Sequence, residues 1–149
     1  MLFKVCCDAN DIFLPHYILF KGKNFYGDYC ATDSPNLVYN TLSSGWMETI
    51  TFEEWFSKVF LKHAKSVEGA KILIFDGHIS HISLQVIDEV RNNNIHIILL
   101  PAHTTHFLQP LDGGVFSSLK TEMRKILKEY LISSDFKDIN KSQFNKLFI

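Results

Sequence analysis

The sequence has little cysteine, no excess of either charge and no long apolar run, and each shortage removes a class of protein. Three cysteines are an odd number, and Cys6 and Cys7 are neighbours. A disulfide framework is therefore not expected, and a reducing, intracellular compartment is the default. Fifteen lysines and arginines stand against sixteen aspartates and glutamates. The chain by itself is thus not a strong non-specific binder of DNA or membrane surfaces. That balance still leaves room for a nucleic-acid enzyme whose basic residues are local. No apolar run approaches the roughly 20 residues of a membrane helix. Lys4 and Asp8 interrupt the short apolar start, so the N-terminus does not read as a signal peptide. Repeats and low-complexity segments are lacking too.

What is present is globular material with an aromatic accent. The chain has 149 residues, 46% of them apolar and 21% charged. That is enough for one domain with a real core and hardly enough for two. Thirteen phenylalanines predict an aromatic-rich core.

Residues 2–7 and 14–20 are rich in Phe, Val, Ile and Leu and flank the turn cluster Asp8-Ala9-Asn10-Asp11. They predict an antiparallel hairpin, closed by Lys21-Gly22-Lys23. Residues 22–47 are polar and read as one long irregular connection, a length often tied to function. Next, Thr51 and Glu54 have the spacing of a capping box, and Ile50 and Trp55 that of a hydrophobic staple. Phe52, Trp55, Phe56, Val59 and Phe60 recur at helical spacing, and Gly69 lies beyond the helix end.

Lys71-Ile-Leu-Ile-Phe75 and Ile95-His-Ile-Ile-Leu-Leu100 read as buried strands around a helix over 82–91. That is a βαβ unit, with parallel strands and a right-handed crossover. A long amphipathic helix is expected over about 115–131, and Phe144, Leu147 and Phe148 point to one more. The order of elements predicts an α/β layer protein with a mixed sheet.

Asp76 closes the first strand of the βαβ unit, where ligands of open α/β sheets gather. An Asx-turn into the next segment explains an aspartate there equally well. Asp112, in Leu108-Gln-Pro-Leu-Asp-Gly-Gly, precedes the long helix. Taken alone it reads best as an N-cap, although a carboxylate there can also hold a metal. Five of the seven histidines lie between positions 78 and 106, and His78/His81 share a spacing with His103/His106. A four-histidine zinc site is one reading of those pairs. Singly, each is more often a hydrogen-bonding loop residue.

The segment Phe75-Asp-Gly-His-Ile-Ser-His81, followed by Leu99-Leu-Pro-Ala-His-Thr-Thr-His-Phe-Leu-Gln-Pro-Leu-Asp-Gly-Gly-Val-Phe116, resembles the DDE superfamily endonuclease domain. The branch it resembles is that of the pogo, Tigger and jerky-like transposases and their domesticated relatives. Gly45-Trp46-Met47, Phe52-Glu-Glu-Trp55, Leu14-Pro15 and Lys21-Gly22-Lys23 are weaker matches spread over the rest of the chain. The resemblance implies an RNase H-like fold, DNA as partner, a nuclear location and no membrane. A homodimer is a further partner to test.

The resemblance also implies two-metal phosphodiester chemistry with Mg²⁺ or Mn²⁺, and makes Asp76 and Asp112 the second and third acids of a triad. Such a site needs acids, because two hard cations activate the attacking oxygen and stabilise the leaving one, and hard cations want oxygen ligands. The two carboxylates are expected close together at one edge of the sheet. Glycines 77, 113 and 114 would let a DNA backbone approach. His78, His81, Thr104, Thr105 and Gln109 are candidate DNA contacts. Lys120, Arg124 and Lys128, spaced by four, form a basic stripe whose competing reading is a plain solvated face.

The family's first catalytic Asp precedes the strand at 2–7, and Asp8, at the hairpin turn, is not assigned its role. The family's helix-turn-helix region has no match either. The sequence is therefore expected to be a single domain, truncated at both ends and missing its first strand, that does not cleave DNA at a useful rate. Two alternatives stand beside that: a domesticated, non-catalytic domain, and a His-rich zinc hydrolase.

Overall fold

The computed structural model describes residues 2–24, 35–101 and 104–148. They fall into two compact units, one running to Pro101 and the other taking up the residues from Thr104 onward.

The first unit opens with the expected hairpin. β1 (Leu2–Lys4) pairs antiparallel with β2 (His16–Lys21), Leu2 opposite Leu19 and Lys4 opposite Tyr17. A bridge between Cys7 and Phe13 carries the pairing toward the turn. There Asp8 Oδ1 accepts from the N–H groups of Asn10 and Ile12 at 2.8 and 3.0 Å. Those bonds hold the turn in which Asp11 takes φ 61°.

β3 (Leu37–Leu42) then pairs parallel with β2, His16 opposite Leu37 and Lys21 opposite Leu42. This corrects the reading of 22–47 as irregular throughout. Leu37-Val-Tyr-Asn-Thr-Leu42 is mostly branched and aromatic, which suits a pleated surface. Asn40 and the polar flanks hid it. Residues 25–34 of the connection lie outside the described residues.

The helix that follows carries the core. α1 (Thr49–Trp55) continues through a π-helical turn (Phe56–Phe60) into α2 (Leu61–Ser66). Phe52, Trp55, Phe56, Val59 and Phe60 are all buried, as their spacing predicts. The capping box and staple do not form. The helix starts before Thr51, with Glu48 at its N-cap and no side-chain cap bond. Thr51 is therefore buried within the first turn, and Ile50 is 70% exposed. Glu54 instead accepts from the Tyr17 hydroxyl and the Asn40 amide and pairs with Lys58.

β4 (Lys71–Asp76), α3 (Leu84–Asn92) and β5 (Ile95–Leu100) form the expected parallel βαβ unit, with Asp76 opposite Leu100. Ser83 caps α3, its Oγ accepting from the Val86 N–H at 3.3 Å. β4 is buried on one face only: Leu73 and Phe75 point inward while Ile72 and Ile74 are exposed. The core joins Leu14 and Tyr17 from the hairpin, Leu73 and Phe75 from β4, Val86, Ile95 and the aromatic face of the helix. Phe52 sits at its middle, its ring 5.6 Å from that of Phe75. Burying one such side chain is worth ~1.5–3 kcal/mol.

The second unit is helical: α4 (Thr105–Leu108), a π-helical turn (Leu111–Val115), α5 (Phe116–Ser133) and α6 (Lys141–Phe148). α5 buries none of its residues. Asn140 and Gln143 cap α6 reciprocally, each side chain accepting the other's backbone N–H at 2.8 and 3.0 Å. Among the described residues, no helix is long and apolar enough to cross a membrane.

Candidate functional site

Asp76 is the last residue of β4, and the chain turns sharply after it. Gly77 leads into His78, whose N–H lies 3.4 Å from Asp76 Oδ1. That is a loose Asx-type contact, so the structural role foreseen for Asp76 is present in weak form. His78 Nδ1 receives the Ser80 N–H at 3.3 Å and lies 2.7 Å from the Ser80 hydroxyl. Nδ1 must therefore be the acceptor, and the proton of this exposed imidazole belongs on Nε2.

A single 3₁₀ turn, Ile79–His81, then brings a second imidazole back to the same carboxylate. His81 Nδ1 lies 2.8 Å from Asp76 Oδ1 and 3.5 Å from the Asp76 carbonyl oxygen. The His81 ring is 4.5 Å from Phe52 and meets Phe75 edge-on at 5.4 Å. Only 11% of the His81 side chain is exposed, against 42% for Asp76. Burial pushes the His81 pKa below its ordinary value, Lys4 adds to that, and Asp76 opposes it. Among the described residues no hydrogen-bond donor reaches the second oxygen of Asp76, Oδ2.

Lys4 is a neighbour that sequence reasoning missed. Its Nζ lies 4.3 Å from the ring centroids of both Phe52 and Trp55, a cation–π arrangement. Burial lowers its pKa to about 8, against the attraction of Asp76 and Cys6. In the sequence Lys4 only interrupted an apolar run, and nothing local tied it to rings some fifty positions away.

Asp112 lies in the π-helical turn Leu111–Val115, half-buried, with its N–H donated to the Gln109 carbonyl at 3.0 Å. The N-cap position of that turn belongs to Pro110, and Val115 is the N-cap of α5. The capping role read for Asp112 is thus corrected. It sits inside the first turn, where the helix dipole favours an anion. Gly113 and Gly114 face open space. Gln109 Oε1 is buried without a hydrogen-bond partner among the described residues. The Thr104 carbonyl accepts from Phe107 and Leu108, both at 2.9 Å. His103 and the side chains of Thr105 and His106 lie outside the described residues.

Lys120, Arg124 and Lys128 are exposed along α5 and make no ion pair among the described residues. Lys125 pairs with Glu122 at 2.7 Å. Asp76 belongs to the first unit and Asp112 to the second, so each carboxylate is known in its own surroundings.

Asp76 and Asp112 offer hard oxygen, the donor type that Mg²⁺ and Mn²⁺ take, and one or two carboxylates plus water suffice for Mg²⁺. Among the described residues, no three His, Cys, Asp or Glu side chains gather as a ligand group. The four-histidine zinc reading gains no support either: among the described residues His78 and His81 gather with no third ligand, and His103 and the His106 side chain lie outside them.

The family described as DDE superfamily endonuclease matches residues 2–148. A Cochliobolus lunatus protein named "MFS-type transporter clz9" is 33% identical over 135 residues, covering 89% of this chain and 14% of that protein. The human "Pogo transposable element with ZNF domain" is 24% identical over 121 residues, covering 81% of this chain and 8% of that protein. The chain thus spans 14% and 8% of the length of these relatives. The transporter name belongs to a whole protein of which only that small part is matched. No solved structure matches.

Proposed function

The chain belongs to the DDE superfamily endonucleases, and from that premise we propose that this transposase-type domain acts on DNA phosphodiesters in an RNase H-like fold. The observation that carries the reading is Asp76. It ends a half-buried parallel strand, has no donor on Oδ2 among the described residues and lies within the span that the family matches. Asp76 and Asp112 would hold Mg²⁺ or Mn²⁺, which when bound activates the attacking oxygen and stabilises the leaving one.

The chain's own residues supply binding and orientation. His78, exposed and carrying its proton on Nε2, is a hydrogen-bond donor suited to a phosphate oxygen. Lys120, Arg124 and Lys128 offer a line of cations to the backbone. Thr104 and Gln109 offer polar groups just ahead of Asp112. Asp8 is not a further acid of the site, since its carboxylate serves the hairpin turn and His63 at 3.3 Å. With two assigned acids, DNA cleavage is expected to be slow, each ~1.36 kcal/mol of lost stabilisation being about tenfold in rate.

The test is a Mn²⁺ titration of the chain beside Asp76→Ala and Asp112→Ala, followed by plasmid nicking. At least tenfold weaker binding in each variant is expected, and unchanged binding in both would remove the metal role. A second reading is a domesticated, non-catalytic domain used for DNA-associated or protein interactions, to which the exposed cations Lys120, Arg124 and Lys128 would contribute without any metal. On that reading DNA binding is independent of Mn²⁺ and survives Asp76→Ala.

A further inference from the structure

We propose that His81 is the positioning residue of this site: its Nδ1–H holds Asp76 Oδ1 and leaves Oδ2 as the oxygen presented to a divalent cation. The proposal rests on the metal-binding reading of Asp76 given above.

Chemistry fixes the direction of the bond. Nδ1 has two neighbours, a carboxylate oxygen at 2.8 Å and a carbonyl oxygen at 3.5 Å, and neither can donate. The proton must sit on Nδ1. His78, three residues earlier, has the opposite arrangement, because Nδ1 there receives an N–H. The two imidazoles of one short motif are therefore set in different tautomers by their surroundings. His78 is exposed, while His81 is packed on Phe52 and against the edge of Phe75.

That packing is what makes His81 a positioner. Phe52 is fully buried, so the platform under the imidazole does not shift. The 3₁₀ turn is closed by the His81 N–H donating to the His78 carbonyl at 2.9 Å. Ring and backbone together hold Nδ1 in one place. Asp76 is the more exposed partner, and besides His81 only the loose His78 N–H contact at 3.4 Å restrains its carboxylate among the described residues. A carboxylate held by one oxygen offers the other in a fixed direction. Partners of this kind, behind a metal ligand, are worth 10–100-fold in affinity when removed.

The test uses the 149-residue chain, Mn²⁺ as the probe, and the variants Asp76→Asn, His81→Phe and His81→Asn. His81→Phe keeps a ring on Phe52 but has no N–H. His81→Asn returns a short N–H donor. Mn²⁺ affinity should fall about tenfold or more in His81→Phe at a nearly unchanged melting temperature. His81→Asn should recover most of it. Independently, ¹⁵N NMR of the wild-type imidazole should show Nδ1 protonated and Nε2 bare at neutral pH. Binding that Asp76→Asn abolishes but His81→Phe leaves intact overturns the positioning role alone, as does an Nε2-protonated ring. Equal Mn²⁺ binding by wild type and Asp76→Asn overturns the metal reading itself, and the proposal with it.

Discussion

The helix over residues 49–66 and α5 present the same pattern to a reader of the sequence, an apolar stripe at 3.6-residue spacing, yet their burial differs sharply. In the first, Phe52, Trp55, Phe56, Val59 and Phe60 are all buried. In the second, Phe116, Met123, Ile126, Leu127 and Tyr130 are half-covered and Leu119 is exposed. Periodicity specifies which face of a helix is apolar, and says nothing about how completely that face is covered. The two acids follow the same division. Asp76 stands beside the buried aromatic face and has a fixed partner, whereas Asp112 stands at the start of the open helix.

The sharpest way to break this comparison is truncation on each stripe. Phe52→Ala removes a ring that touches Trp55, Phe56, Phe75 and His81 and supports Lys4. A loss of about 3–5 kcal/mol is expected, as for other fully buried aromatics. Leu119→Ala, on the exposed part of α5, should cost below about 1 kcal/mol. Denaturant unfolding of both variants checks this, and equal losses would mean that α5 is as much core as the first helix.

A smaller effect concerns the charge held in the first region. The Lys4 pKa is lowered to about 8, mainly by burial, from an unfolded value of 10.5. Between those values the unfolded chain binds more protons than the folded one, so stability rises with pH across that window. Below about pH 8 the folded protein carries the full cost of a desolvated ammonium. Lys4→Met should flatten the rise and stabilise the protein near neutral pH, by on the order of 1–2 kcal/mol. The difference between wild type and variant in unfolding from pH 7 to 11 measures it. A constant difference would show that the Lys4 ammonium is hydrated.

The same division explains what was legible beforehand. β4 and β5 are mainly apolar runs bounded by Gly and Pro, so their extent and parallel pairing follow from local signals, but full burial does not: Ile72, Ile74, Ile98 and Leu99 are exposed. Asp76 was found because a strand end is a position that can be counted. β3 was missed because its pairing with β2 is non-local and Asn40 interrupts its pattern, although Asn40 is there to bond Tyr17 and Glu54. The Thr51/Glu54 spacing matched a cap that the fold does not use, because the start of the helix is set by Glu48 and the preceding turn. The bond from His81 to Asp76 and the position of Lys4 both depend on Phe52, a residue remote from each in sequence. Long-range packing of that kind leaves no mark at the residues it controls.

The smallest expected effect tests the open region for a function that the buried one cannot have. Lys120, Arg124 and Lys128 recur every four residues, so they run along one side of α5, where Arg124 and Lys128 border the apolar groove of Leu127, Leu131 and Ile132. All three are exposed, and none is in an ion pair among the described residues, whereas Lys125 is held by Glu122. Unpaired cations in a row match the repeating charge of a nucleic-acid backbone, and binding there releases counterions in proportion to the phosphates met. A solvated face makes the same picture without any ligand, so exposure alone does not separate the two. Salt dependence does. If Arg124 meets one phosphate, Arg124→Glu should weaken duplex binding several-fold at low salt and reduce the slope of log affinity against log salt by about one. The effect should be alike for unrelated DNA sequences, because a phosphate contact carries no base information. Stability should barely move, since the side chain packs in no core. An unchanged slope would leave the stripe as solvated surface, and the apolar side of α5 as the face still to be explained.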